Sequence, residues 1–219
     1  MIHIFKLNGH RIAYDCTRRV SYSLSALAMK IAEAVHPPLS EECPSSLRYA
    51  FAKYDSHDLS EAYQEVYALA NRGLFDTDAG DAPAPADEDP SAADGACYVP
   101  VSPNLPLGEA VLQLAELGVR FIHAEIPAAT NPKELIRLAK DLEKLRDDGK
   151  TIFFAPFVSA LEVAADHAEI PDACRHCWAQ EICRGRALHD GENAGTRCDL
   201  VRTCIECGIV LYDEPKKIV

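Results

Sequence analysis

The fold of the first third of the chain is decided by residues 1–24, which read MIHIFKLNGHRIAYDCTRRVSYSL. Apolar and polar side chains alternate over 11–16 and again over 19–24, which is the period of a half-buried strand. Asn8-Gly9 suits a two-residue hairpin turn after a first strand from Ile2 to Leu7. The segment therefore predicts three short antiparallel strands.

Three helices are predicted after these strands. Apolar residues recur at three- and four-residue spacing from Leu27 to Val35, and Pro37-Pro38 stops this helix. A short helix is predicted over 46–53, and a longer one follows Asp58 as its N-cap and ends at Gly73. Three strands and three helices within residues 1–75 predict a winged-helix-like domain.

A segment of unusual composition follows, over residues 76–96, with the sequence DTDAGDAPAPADEDPSAADGA. It contains seven acids, three prolines and no large apolar side chain. Such a segment buries too little apolar surface to offset the entropy lost on ordering. We predict an acidic disordered linker, and an acidic docking segment is the other interpretation.

The charge distribution limits the possible partners. The chain has 34 acids against 22 Lys and Arg, for a formal net charge of -12, but residues 1–75 have eight of each. Nucleic-acid binding depends on basic side chains that neutralise phosphates, so no nucleic-acid partner is expected. No apolar run reaches the roughly 20 residues needed to span a bilayer, and the N-terminus has no secretory signal pattern. We therefore predict a cytoplasmic protein with no membrane partner.

Residues 97–169 have the pattern of a truncated α/β unit. A helix is predicted near 107–117, a strand over 119–124, a helix opened by Asn131-Pro132, and a strand that begins at Thr151. A further helix is predicted over 159–168. Strands that alternate with helices indicate a parallel sheet, here too short to close into a barrel. With the N-terminal domain, the predicted fold class is α+β.

The strongest chemical signal is a group of cysteines near the C-terminus. Six of the nine cysteines follow Ala173, and in a reducing compartment such clustering indicates metal or redox chemistry. Cys174 and Cys177 are spaced to chelate one metal, and Cys183 and Cys198 complete a set of four thiolates. The unequal spacing favours a 4Fe-4S cluster over zinc, and four free thiols are the third alternative.

The remaining cysteines are assigned structural roles. Cys204 and Cys207 lie in a predicted terminal helix, where packing is the favoured interpretation and a substitute ligand role for Cys207 stays open. Cys16, Cys43 and Cys97 are isolated. The sequence has no glycine-rich phosphate loop, nucleophile elbow or paired-carboxylate motif, so we lean towards a protein that is not an enzyme.

Both ends of the chain resemble one enzyme family. Ile4 to Asp15 and Arg72 to Phe75 resemble the PqqD-like, winged-helix peptide-recognition domain of radical S-adenosylmethionine maturases of the SCIFF type, which form thioether crosslinks in peptides. Cys174 to Cys183 and Cys198 to Val210 are similar to the SPASM domain that closes these enzymes, here over 170–219. Together the two regions cover a little over half of the chain.

The chain also departs from that family. The Cys-x3-Cys-x2-Cys motif of the catalytic cluster is missing, and residues 97–169 are too few for the catalytic α/β core. Ala187 stands where the family has a ligand of the first auxiliary cluster, whereas the four cysteines retained correspond to the second. The resemblance thus implies a non-catalytic relative with one four-cysteine site.

The resemblance also implies a binding site for a precursor peptide. In the family the leader peptide adds as a strand beside the third strand, against the third helix. Carried over to this sequence, the site comprises Val20, Ser21, Tyr22, Ser23 and Tyr67. The expected function is an accessory protein that binds a precursor peptide, a radical maturase, or both. The alternatives are an iron–sulfur electron-transfer partner and a zinc-stabilised structural adaptor.

Overall fold

The computed structural model describes nine segments of the chain, namely residues 2–71, 96–99, 107–119, 121–126, 130–147, 153–158, 174–183, 194–213 and 215–216. The predicted linker, apart from Ala96, and the helix predicted over 159–168 lie outside these residues. The chain divides into two compact units, one of Met1–Pro85 with Glu214–Val219 and one of Ala86–Asp213. This division groups residues 214–219 with the N-terminal unit, whereas the sequence patterns group them with residues 170–213.

The first unit begins with the three predicted strands, β1 (Ile2–Leu7), β2 (His10–Asp15) and β3 (Val20–Ser23). They form an antiparallel sheet in the order β1-β2-β3, as predicted. The β1–β2 turn has φ of 50° at Asn8 and 96° at Gly9. Positive φ at both central residues is the requirement of the hairpin turn that Asn-Gly favours, so the local sequence sets this turn.

Three helices complete this unit, α1 (Ala26–Ala34), α2 (Ser45–Ala50) and α3 (Ser56–Asn71). Their apolar stripes pack on one face of the sheet, because the pleat places alternate side chains of each strand on that face. The most deeply buried residues of this core are Ala13, Ala28, Ile31, Leu59, Tyr63, Val66 and Leu69. The unit is therefore mixed α+β, with a small antiparallel sheet covered by helices.

The predicted N-cap of α3 is wrong. The helix begins at Ser56, and Asp55 is the cap, because its Oδ1 accepts a hydrogen bond from the His57 N–H at 2.7 Å. Asp58 lies in the first turn, where a carboxylate interacts favourably with the helix dipole. The predicted end at Gly73 lies outside the described residues.

Replacement of this cap tests the assignment. We expect Asp55→Ala to lower the free energy of unfolding by about 1 kcal/mol, because it leaves a helix N–H unpaired. Asp58→Ala, which removes only the charge–dipole interaction, should lower it less. Urea denaturation of both variants measures the difference, and an equal loss in the two would contradict the cap at Asp55.

The second unit contains a parallel α/β arrangement. Its elements are β4 (Ala96–Val99), α4 (Leu107–Glu116), β5 (Phe121–Ile126), α5 (Pro132–Asp147) and β6 (Phe153–Val158). The strands are parallel in the order β4-β5-β6, which confirms the predicted sheet type and adds β4, a strand that was not predicted. Asn131 caps α5, since its Oδ1 accepts from the Lys133 N–H at 3.0 Å.

The second unit ends with a short helix, α6 (Gln180–Cys183), and the predicted terminal helix, α7 (Ala194–Tyr212). Helix α7 packs on α5 and buries Leu200 and Val201. Arg146 of α5 donates from Nη1 to the Leu211 carbonyl at 2.9 Å, which satisfies a carbonyl in the last turn of α7. None of the helices described is both long and apolar enough to cross a membrane.

Candidate functional site

The outer edge of β3 is paired with another part of the chain. On its inner side β3 pairs with β2, and on its outer side Tyr22 and Lys216 form a parallel β-bridge. The Ser23 N–H donates to the Lys216 carbonyl at 3.2 Å, and the Lys216 N–H donates to the Ser21 carbonyl at 3.0 Å. This edge therefore accepts an extended segment through its main chain, which is the mode called β-augmentation.

The predicted peptide-binding residues lie along this edge and on the adjacent helix. They are Val20, Ser21, Tyr22 and Ser23 on β3 and Tyr67 on α3. Tyr22 and Tyr67 are half-buried and pack against the same hydrophobic core, and the Tyr67 ring stacks on Tyr63 with centroids 6.5 Å apart. Ser23 is exposed. The strand thus presents its backbone, whereas the two tyrosine rings belong largely to the core.

The four predicted cysteine ligands come from three local structures. A tight turn links Cys174 to Cys177, whose N–H donates to the Cys174 carbonyl at 3.0 Å. Cys183 is the last residue of α6, and Cys198 lies on α7. In the amide orientation that satisfies its neighbours, Gln180 donates to the Cys174 carbonyl at 3.1 Å and braces the turn. The four cysteines thus come from a turn, a short helix and a long helix of the second unit.

Electrostatic effects show that these four thiols are neighbours. Burial raises the pKa of Cys174, and the charges of Cys177 and Cys183 raise it further. The pKa of Cys198 is also raised, first by burial, with Arg202 lowering it and the other three thiols raising it. This repulsion disfavours the thiolates of Cys174 and Cys198, and a bound cation would offset it.

One cation of the chain lies beside these thiols. Arg202 donates from Nη2 to Cys177 Sγ at 3.6 Å and from Nη1 to Asp199 Oδ1 at 3.3 Å. The hydrogen bond to Cys177 is the main reason that the pKa of Arg202 is raised. Nε of Arg202 is buried and has no hydrogen-bond partner within the described structure. A buried, unpaired donor beside sulfur atoms fits an additional sulfur acceptor at this position.

The thiols do not form a closed metal site. Within the described segments, no group of three or more His, Cys, Asp or Glu side chains has the arrangement of a metal centre. The four soft sulfur donors fit a zinc ion or an iron–sulfur cluster by their chemistry, and the unpaired Nε–H of Arg202 fits a sulfur acceptor. The thiols of Cys174, Cys177, Cys183 and Cys198 would have to draw together to bind either one.

Two further cysteines on α7 are poor candidates for ligands. Cys204 and Cys207 are buried, with exposed fractions of 8% and 4%, and burial raises the pKa of each to about 12. Burial disfavours the thiolate form, which is the form that binds a metal. This agrees with the predicted packing role. Cys16 and Cys43 are buried too, and nothing is described of the Cys97 side chain.

Comparison with known proteins adds no identification. No protein-family model matches the sequence, and no curated protein matches it at a significant level. The contributions of Arg202 and Lys216 were not predicted. Arg202 has a local signal, because it follows Cys198 by four residues on a helix and therefore lies on the same face. Lys216 has none, because its contact with β3 is made through the backbone.

Proposed function

We propose that the chain is a non-catalytic accessory protein of ribosomal peptide modification. In this proposal the first unit is a PqqD-like winged-helix domain that binds a precursor peptide, a radical S-adenosylmethionine maturase, or both. The C-terminal cysteines belong to a SPASM-like region with one four-cysteine metal site. The observation that carries the proposal is the β3 edge, where Ser21 and Ser23 hydrogen-bond an extended segment.

The geometry of this edge suits peptide recognition. An edge strand has main-chain donors and acceptors that no other strand of its sheet satisfies, and an added strand satisfies them. The outward groups of Ser21 and Ser23 flank Tyr22, which borders the helical core. A bound peptide would gain affinity from these main-chain hydrogen bonds and selectivity from side chains next to Tyr22.

A proline substitution at the edge tests peptide binding. The Ser23 N–H points away from β2, so Ser23→Pro removes an outward donor and leaves the β2–β3 pairing in place. Measured in the Lys216→Pro background, where the chain's own Lys216 pairs less tightly with this edge, we expect the affinity for a precursor peptide encoded beside the gene to fall roughly fivefold, because one main-chain hydrogen bond contributes about 1 kcal/mol. Fluorescence anisotropy with a labelled peptide measures this loss.

The matched control is Ser23→Ala, which keeps the N–H and changes only an exposed hydroxyl. In the same Lys216→Pro background, its affinity should remain within about twofold of the protein with Ser23 unchanged. Circular dichroism establishes that both variants are folded. Binding of no adjacent peptide and no radical maturase would contradict the proposal, and an equal loss in Ser23→Pro and Ser23→Ala would contradict the main-chain mode of recognition.

For the metal site we propose a 4Fe-4S cluster held by Cys174, Cys177, Cys183 and Cys198. Such a cluster supplies one-electron redox chemistry, and hydrogen bonds to its sulfur atoms tune its reduction potential. Arg202, which donates to Cys177 Sγ, favours an electron-transfer partner as the second candidate function. Zinc is the alternative metal and would only stabilise the fold, as in a structural adaptor. Iron, sulfide and zinc analysis of anaerobically purified protein separates the two.

A further inference from the structure

We propose that the segment after α7 is an internal ligand of the β3 edge, and that a precursor peptide must displace it to bind. This inference rests on the proposed function, because the precursor peptide that would compete with the segment belongs to that proposal. The pairing itself is observed, since Lys216 forms a parallel bridge with Tyr22. The chain therefore places a residue of its own, Lys216, where the peptide would add.

The two main-chain hydrogen bonds of Lys216 occupy the centre of the edge. The Lys216 N–H and carbonyl pair with the carbonyl of Ser21 and the N–H of Ser23, which are the two outward groups that flank Tyr22. A second extended segment cannot pair with the same groups while Lys216 is bound, because Ser23 has a single N–H to donate. Occupancy by the internal segment and by a peptide are thus mutually exclusive.

The composition of this segment is compatible with main-chain pairing at Lys216. Pro215 has no N–H, so it is suited to the first position of an added strand and does not extend a helix. The residues after Lys216 are Lys217, Ile218 and Val219, of which the last two are β-branched types that favour strands. Parallel pairing also protects an edge that is otherwise open to aggregation.

An internal ligand lowers the apparent affinity for every external one. A tethered segment acts at an effective concentration that reaches the millimolar range, so it competes well even with weak intrinsic affinity. The apparent dissociation constant of a peptide then equals its intrinsic value divided by the fraction of molecules with a free edge. Weakening the internal segment should therefore tighten peptide binding.

The first test measures the internal pairing without any external peptide. Lys216→Pro removes the N–H that bonds to Ser21, whereas Lys216→Ala keeps it. We expect hydrogen exchange at the Ser23 amide to accelerate about tenfold in Lys216→Pro and to stay unchanged in Lys216→Ala. The Leu24 amide, which donates to the Arg11 carbonyl at 2.9 Å, should remain protected in both variants and reports that the sheet is intact.

Adding the segment back completes this test. A synthetic peptide of residues 213–219, DEPKKIV, should restore protection at Ser23 when added at millimolar concentration to the Lys216→Pro protein. Unchanged exchange at Ser23 in Lys216→Pro, with Leu24 still protected, would overturn the inference. Failure of DEPKKIV to restore protection would overturn it as well, because an internal ligand must bind the freed edge.

The second test measures competition, with a labelled precursor peptide encoded beside the gene as the probe. We expect Lys216→Pro to bind it on the order of tenfold more tightly than the unsubstituted chain, and Lys216→Ala to bind it equally well. Ser23→Pro weakens the pairing of both Lys216 and the external peptide with β3. The variants Ser23→Pro and Ser23→Ala are therefore compared in the Lys216→Pro protein, where the internal segment competes less. Equal peptide affinity with and without Lys216→Pro overturns the inference and leaves peptide binding intact. If the peptide binds neither the unsubstituted chain nor Lys216→Pro, the proposed function is contradicted. Hydrogen exchange at the Ser23 amide then still decides whether the internal segment occupies the edge of β3.

Discussion

Cys198→Ser should reduce the metal bound per chain by roughly tenfold or more. In the proposed site Cys198 is the ligand that α7 contributes, and its pKa is raised by burial and by the charges of Cys174, Cys177 and Cys183. Loss of one thiolate from a four-thiolate site removes a coordination bond, whereas changes outside the ligand shell alone already lower metal affinity 10- to 100-fold. Elemental analysis of the full chain, purified without oxygen, measures the effect.

Cys204→Ala is the matched control for Cys198→Ser. Cys204 lies on the same helix and is buried, and burial raises its pKa to about 12, so it is not among the proposed ligands. The Cys204→Ala protein should keep its full metal content even though it loses some packing. Metal content that is unchanged in Cys198→Ser, or lost equally in Cys204→Ala, would contradict the four-cysteine site.

Tyr63→Ala should destabilise the first unit by about 3–5 kcal/mol. Tyr63 of α3 is fully buried in the core of the first unit, with an exposed fraction of 0%, and its hydroxyl donates to the Ser40 carbonyl at 2.6 Å. The substitution leaves a cavity of aromatic size and an unpaired carbonyl. Because this is a large share of the stability of a small domain, the β3 edge and its peptide binding should be lost together.

Tyr63→Phe separates the ring from the hydroxyl. It keeps the packed ring and removes only the hydrogen bond to Ser40, so we expect a loss of about 1 kcal/mol. Urea denaturation followed by far-ultraviolet circular dichroism compares the two variants. A Tyr63→Ala protein as stable as Tyr63→Phe would show that this ring does not support the unit.

The N-caps of α5 and α3 show where a local sequence pattern is sufficient to predict a helix start and where it is not. Asn131 was correctly predicted as the start of α5, because a capping residue followed by proline is an unambiguous signal. At α3 both Asp55 and Asp58 are good capping residues, and Asp58 was the wrong choice. Local sequence alone does not separate two such candidates, since the packing of the helix on the core decides which turn comes first.

Periodicity and residue chemistry, which need only neighbouring residues, correctly predicted the three-stranded antiparallel sheet and the parallel α/β order, and the set of four cysteine ligands stays a prediction. The tertiary structure alone placed Lys216 on the edge of β3 and the Arg202 guanidinium beside Cys177. Every residue has a main-chain acceptor, and every residue except proline has a main-chain donor. A pairing made through these groups therefore leaves no side-chain pattern that identifies Lys216 as the partner of β3. From the sequence, the −12 charge predicts which partners are unlikely and the nine cysteines predict a metal site. The pairing of Lys216 with the edge of β3 is visible only in the folded chain.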